Sequence, residues 1–184
     1  MIANWFANLD EMGWILLVAV IIAGVGCYIA HRQLRNLSRT SKANVLFNLD
    51  KKYDDIYEGR KAVYTLVTQI KNRLGIENSE REDELISEIT SQMQIWQNED
   101  ANEYSKIKQV LDFCEYIGYL MISKYLSTKE VKALYVPAIL NWGKWFKPYI
   151  VHRQEKEGED VYKYFMLAHK KLSRHKYNNQ NMPT

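Results

Sequence analysis

Cysteine is scarce in this chain: only Cys27 and Cys114 occur among 184 residues. A disulfide-stapled small domain and a CxxC metal or redox site are therefore excluded. Proline (3) and glycine (8) are sparse as well, which rules out collagen-like or linker-rich organisation. The four histidines, His31, His152, His169 and His175, are scattered, and no HExxH pair occurs. A Walker phosphate loop, a dinucleotide glycine fingerprint and a nucleophile elbow are all missing. Asp54 and Asp55 are adjacent, so on a helix they face apart and do not make an acid–base pair. Charge of one sign is lacking too: 25 Lys and Arg against 22 Asp and Glu leave only +3, too little for a DNA binder. These absences point away from an enzyme, and the expectation is a chain with no catalytic residues, no metal site and no cofactor.

What is present divides into two physical regimes that the mean hydropathy of −0.40 averages away. Trp14 to Ala30 reads WILLVAVIIAGVGCYIA and holds no charge. That length is at the lower end of what spans a bilayer, roughly 17–25 residues. The flank before it carries Asp10 and Glu11, and the flank after it carries Arg32, Arg35, Arg39 and Lys42. A signal peptide would need the basic flank first. The charge bias instead predicts an uncleaved span with residues 1–13 as a short extracytoplasmic N-terminus and the domain after the span in the cytoplasm. Trp5, Phe6 and Trp14 would sit at the outer interface and Tyr28 at the inner one. Within the span, Ala19, Ala23, Gly26, Cys27 and Ala30 fall on one face, a small-residue surface suited to close helix approach and self-association.

After a basic juxtamembrane stretch, residues 31–45, the pattern is helical throughout and no run of period-two alternation appears. Apolar residues at 46, 49, 53, 56, 63, 67, 70 and 74 follow a 3-4 seam, with Arg60 in the one missing position and Gly75 as a C-terminal cap. The polar stretch 31–42 allows a break in this first helix. Ser79-Glu80-Arg81-Glu82 fits a capping box for a second helix with Leu85, Ile86, Ile89, Met93 and Trp96 on its apolar face. Tyr104 to Tyr125 is the most apolar stretch of this part, so it is expected at the centre of the bundle. Glu115 inside it needs a partner, and Arg60 is the expected one, as a structural ion pair. Ser127-Thr128-Lys129-Glu130 is another capping box, with the following helix expected to break at Pro137 and to kink or end at Pro148. Glu159-Asp160 would open a last helix ending at Leu172, before a polar tail, 173–184.

One cluster invites a ligand. Trp142 and Trp145 interleave with Lys144 and Lys147, and Arg153 follows. Aromatics that stack on a base beside cations that hold phosphate would make a nucleotide site. Aromatic core packing accounts for the same residues without any ligand.

The run VLDFCEYIGYLM, then STKEV, LNWGKWFKPYIVHRQ and VYKYFMLAHKKL, resembles a bacterial membrane-anchored helical family, domain of unknown function 4760. The resemblance rests on Phe113 with Glu115, Trp142 with Trp145, and Ile150 with Arg153. It implies one N-terminal span and a helical cytoplasmic domain, and it brings no established activity. The reading is thus all-α: a transmembrane helix at 14–30, then a cytoplasmic helical bundle at 46–172. Its partners would be the bilayer, further copies of itself, and a cyclic nucleotide or a protein. By analogy of layout, such a chain suits an oligomeric effector at the bacterial inner membrane, of antiviral-defence type and gated by a nucleotide. The alternative is a non-enzymatic scaffold that holds a protein partner there.

Overall fold

The computed structural model describes residues 11–76 and 81–180. The expected N-terminal belt residues Trp5 and Phe6, the Ser79-Glu80 half of the first capping box, and residues 181–184 of the tail lie outside them. Six helices account for almost all of the described residues, and no strand occurs among them. They are α1 (Glu11–Asp55), α2 (Tyr57–Leu74), α3 (Glu82–Glu99), α4 (Ala101–Ile122), α5 (Thr128–Glu157) and α6 (Lys163–Gln180). The fold is all-α, a long apolar N-terminal helix followed by a helical bundle. The chain divides into two compact units, residues 1–47 and 48–184.

The first unit is the greater part of α1. Residues 18–41 are exposed without interruption. The best 18-residue window has a mean hydropathy of 1.6 and buries nothing, so the helix is long and apolar enough to cross a membrane. The break allowed at 31–42 does not occur; the helix runs unbroken to Asp55. Polarity alone does not stop a helix, and no glycine or proline lies between Cys27 and Glu58. Arg32, Arg35 and Arg39, Leu34 and Leu37, with Gln33 and Lys42, are good helix formers.

The second unit has its own core. The discontinuity between α1 and α2 falls at Ile56, where Ile56 N–H still bonds the Lys52 carbonyl at 3.2 Å and Arg60 N–H the Ile56 carbonyl at 2.9 Å. The predicted seam is the buried face: Leu49, Val63, Val67 and Ile70 are in the core. α2 stops at Gly75, whose left-handed φ of 63° suits glycine, and the Ile76 N–H returns to the Lys71 carbonyl at 2.9 Å. α3 buries Leu85, Ile89 and Met93, as its spacing predicts. Its N-cap is Arg81, which makes no side-chain cap bond, because a guanidinium has no acceptor; it donates instead to the Leu74 carbonyl at 2.7 Å and to Glu84.

α4 packs against α2, α3, α5 and α6, the central place its composition predicts. Tyr53, Phe113 and Tyr135 form a ring cluster with centroids 5.6–5.7 Å apart, and the Tyr135 hydroxyl donates to Asp50 at 2.8 Å. The Ser127–Glu130 capping box is fully formed at the start of α5. The break expected at Pro137 and the end allowed at Pro148 are corrected: α5 is one helix of 30 residues through both prolines. At Pro148 the ring faces solvent and the carbonyl deprived of its N–H belongs to exposed Lys144, where water can satisfy it. α6 begins at Lys163 and continues to Gln180, so the stretch expected as a frayed tail from Ser173 is helical for most of its length.

Candidate functional site

Glu115 and Arg60 do not pair. Glu115 projects from α4 to the N-terminus of α6, where its two carboxylate oxygens accept the backbone N–H groups of Tyr164 at 3.1 Å and Phe165 at 2.7 Å. The first N–H groups of a helix have no partner inside it. Glu115 therefore acts as the N-terminal cap of α6, delivered from another helix. Burial pushes its carboxyl upward, and the two N–H bonds pull it back. Three residues on, Gly118 makes the approach possible: a Cβ there would stand 2.4 Å from the Tyr164 carbonyl oxygen. Asp112 completes the stripe, taking the Tyr162 hydroxyl at 3.2 Å, and Tyr119 meets the Tyr164 ring edge-on at 5.3 Å. Asp112, Glu115 and Gly118 are one turn apart, so a single face of α4 receives α6. Cys114 points into the core beside it, and burial pushes its thiol far above the ordinary range, leaving it protonated.

Arg60 fills its place in the apolar seam by stacking. Its guanidinium lies 3.8 Å from the centroid of the Tyr53 ring, with Tyr57 at 5.8 Å. A guanidinium is weakly hydrated and planar, which lets it replace an apolar side chain against aromatics. It forms no ion pair among the described residues, and its Nε is buried without a hydrogen-bond partner. Arg60 also lines a shallow groove of about 520 Å³ along α2 with Tyr57, Lys61, Tyr64, Thr65 and Thr68.

The five residues of the ligand reading do not converge. Trp142 is fully buried core. Trp145 is half-buried and meets Tyr64 edge-on at 6.3 Å, the same Tyr64 that covers Trp142 at 6.4 Å. Lys144 reaches across to α3 and pairs with Glu82. Lys147 is exposed; burial first, and the Lys147 charge second, lower the proton affinity of half-buried His169. Arg153, with its side chain 13% exposed, pairs with Glu157 and donates to the Tyr104 hydroxyl at 2.6 Å. Tyr149 donates to that hydroxyl at 3.0 Å. Arg153 thus ties α5 to α4, with Glu157 raising its proton affinity further. What these side chains build is a helix-to-helix polar clasp, and the open groove that Tyr64 lines is the α2 groove beside Arg60.

Ala19, Ala23, Gly26, Cys27 and Ala30 are all exposed on one continuous helix, and a Cβ at Gly26 would meet nothing within 4 Å. Among the described residues, no group of three His, Cys, Asp or Glu side chains gathers as metal ligands would. Tyr104, Gly118 and the α6 N-terminus escape the sequence reading. Only Gly118 carries a signal, as an isolated glycine inside a strongly apolar helix, which marks close approach of another backbone.

Residues 14–172 match the family described as a domain of unknown function (DUF4760), and the chain belongs to that family. The match covers both the apolar segment and the bundle through Leu172, which is buried in α6. No curated protein and no solved structure matches the chain.

Proposed function

We propose that this chain is a single-pass membrane-anchored interaction module, with its helical domain on the cytoplasmic face of the bacterial inner membrane and its copies assembled through the small-residue face of the span. It acts as a non-enzymatic scaffold that holds a protein partner at the bilayer. One observation carries the reading: an uncharged apolar stretch of helix with none of its best window buried is followed at once by Arg32, Arg35 and Arg39. Such a surface is unfavourable in water and favourable in hydrocarbon, and the cations favour the cytoplasmic side. The scaffold reading is preferred over the nucleotide-gated one because Lys144 and Arg153 are engaged by Glu82 and Glu157, and Trp142 is core.

The ligand-gated effector of antiviral-defence type stays as a second reading on one specific observation, the α2 groove. There Arg60, with no counter-ion among the described residues, sits among Tyr57, Lys61 and Tyr64, a set that suits an anionic ligand with a flat ring. Protease treatment of inner-membrane vesicles tests the anchor. Inside-out vesicles should lose the domain and right-side-out spheroplasts should keep it, and the reverse pattern defeats the proposed topology. A thermal-shift screen of the full chain with cyclic oligonucleotides separates the two readings. A stabilisation abolished by Arg60→Gln would favour the effector, and no shift across the panel would favour the scaffold.

A further inference from the structure

Past the membrane, α1 carries a second helix-contacting surface. Cys27, Ala30, Leu34, Leu37 and Ser41 follow each other at alternating intervals of three and four residues. This is the spacing of a and d positions in a coiled coil, and it continues upstream through Ala23 without a phase change. The next position downstream is the polar Asn44, where the stripe gives way to the bundle's own seam from Leu46. Leu34 and Leu37 are each 66% exposed, on a stretch that would lie in water. The charges are arranged around this stripe with equal regularity. Arg32 and Arg39 take f positions, Arg35 and Lys42 take b positions, all on the outer face, while the flanking e and g positions hold His31, Gln33, Ser38 and Thr40.

An amphipathic segment beside a span usually lies flat in the headgroup layer. Here it cannot, because the helix is unbroken from the apolar span through Asp55 and carries the segment straight out of the bilayer. The leucine face therefore has to be covered by protein. The charge pattern selects the partner. A foreign helix steered by acidic flanks would find no Lys or Arg at e or g to meet, whereas a second copy brings uncharged or weakly basic flanks that do not repel. Copies anchored by the same span are parallel and in register before they touch, and confinement raises their effective concentration.

We infer that residues 27–41 form a parallel coiled-coil stalk with a second copy of this chain, zipping the span's small-residue face into a continuous seam that leaves the membrane through Leu34 and Leu37. The inference rests on the anchored reading above and extends its self-association beyond the bilayer. It assigns the outward Arg32, Arg35 and Arg39 to the anionic lipid surface around the stalk, where they do not oppose pairing.

Oxidative cross-linking of the full chain in inner-membrane vesicles tests it. With Cys27→Ser removing the span thiol and Cys114 hidden in the core, single cysteines are placed on both faces. Leu34→Cys and Leu37→Cys should give covalent dimer several-fold above Arg35→Cys and Arg39→Cys. Equal yields on the two faces, or the higher yield at Arg35→Cys, would overturn the stalk. Ala23→Cys reports on the span separately: cross-linking there without any at Leu34→Cys overturns the stalk and leaves span assembly standing. Release of the chain by alkaline carbonate would overturn the anchoring and the stalk together.

Discussion

Two stretches of helix in this molecule obey the same heptad spacing and meet opposite fates. From Leu49 to Ile70 the seam is covered within its own chain: Leu49, Val63, Val67 and Ile70 are buried, Tyr53 and Ile56 are half-buried, and even the odd residue, Arg60, is accommodated on the face of Tyr53. From Cys27 to Ser41 the seam is exposed on every turn. The difference is one of supply. The bundle provides four helices around α4, with glycines at the crossings and carboxylates aimed at helix ends, so its apolar face is covered and its polar ends are bonded. The exposed stretch from Cys27 to Leu37 is not buried by its own chain, and in the proposed stalk a second copy covers it. Periodicity tells where a helix will be contacted, and only the surrounding chain tells by what.

The sharpest way to break the comparison is in the bundle core, at the residue both readings of the aromatic cluster need. Trp142→Ala is expected to destabilise the full chain by about 3–5 kcal/mol, as loss of a fully buried large aromatic does. Trp145→Ala, at a half-buried position, should cost clearly less. The check is urea unfolding followed by circular dichroism in detergent micelles. Near-equal small losses at the two positions would return both tryptophans to a ligand surface.

Next in size is the crossing of α4 and α6. Gly118→Ala places a methyl 2.4 Å from the Tyr164 carbonyl oxygen, and backbone cannot step aside cheaply. A cost of about 1–3 kcal/mol is expected, of the overpacking kind. An alanine is otherwise the better helix former, so unchanged or raised stability would mean the two helices do not cross there.

How much of the fold is legible in the sequence follows the range of the interactions. Local rules read correctly: the 46–74 seam, the Gly75 cap and the Ser127–Glu130 box each depend on residues within a few turns. So does the centrality of α4, because a helix apolar on several sides must be surrounded. What fails is partner choice at long range. The pattern matches Glu115 to the nearest leftover cation, yet a helix N-terminus offers two N–H donors that no residue letter displays. The aromatic–basic cluster at 142–153 looks like one site because it is contiguous in sequence. On a helix its members point around the full circle, and several are engaged by different neighbours. The prolines mislead in the same way: a local penalty reads as a stop where the packed bundle tolerates it.

The α6 cap gives a smaller effect with a charge signature. Glu115→Ala should cost about 1–2 kcal/mol, the usual value of a lost N-cap. Glu115→Gln keeps an acceptor oxygen and should recover part of that loss. If the two variants are equally stable, the carboxylate is not capping α6. Smaller again is the response to acid through His169, whose proton affinity is held down by burial first and by Lys147 second. With the folded value below the unfolded one, near 6.5, the unfolded chain binds the proton better. Its contribution is complete above that pH and is lost as pH falls through it. His169→Gln should flatten the decline in melting temperature between neutral and mildly acidic pH, and an identical decline in the variant would remove His169 as its cause.

The smallest effect on the bundle is expected from the most exposed leucines, and there the two heptads separate most cleanly. Leu34→Ser with Leu37→Ser removes two large apolar side chains that bury little surface within the chain itself. Unfolding of the second unit should move by no more than about 0.5 kcal/mol, the ordinary range for surface changes. The matching substitution in the covered seam, Val63→Ser, strips a fully buried side chain and puts a hydroxyl in the core, so it should be severe. Self-association should respond in the opposite order, weakened by the leucine pair and untouched by any Val63 variant that still folds. A loss of bundle stability from the leucine pair would mean that the exposed heptad is covered by its own chain after all, and the contrast between the two stretches would dissolve.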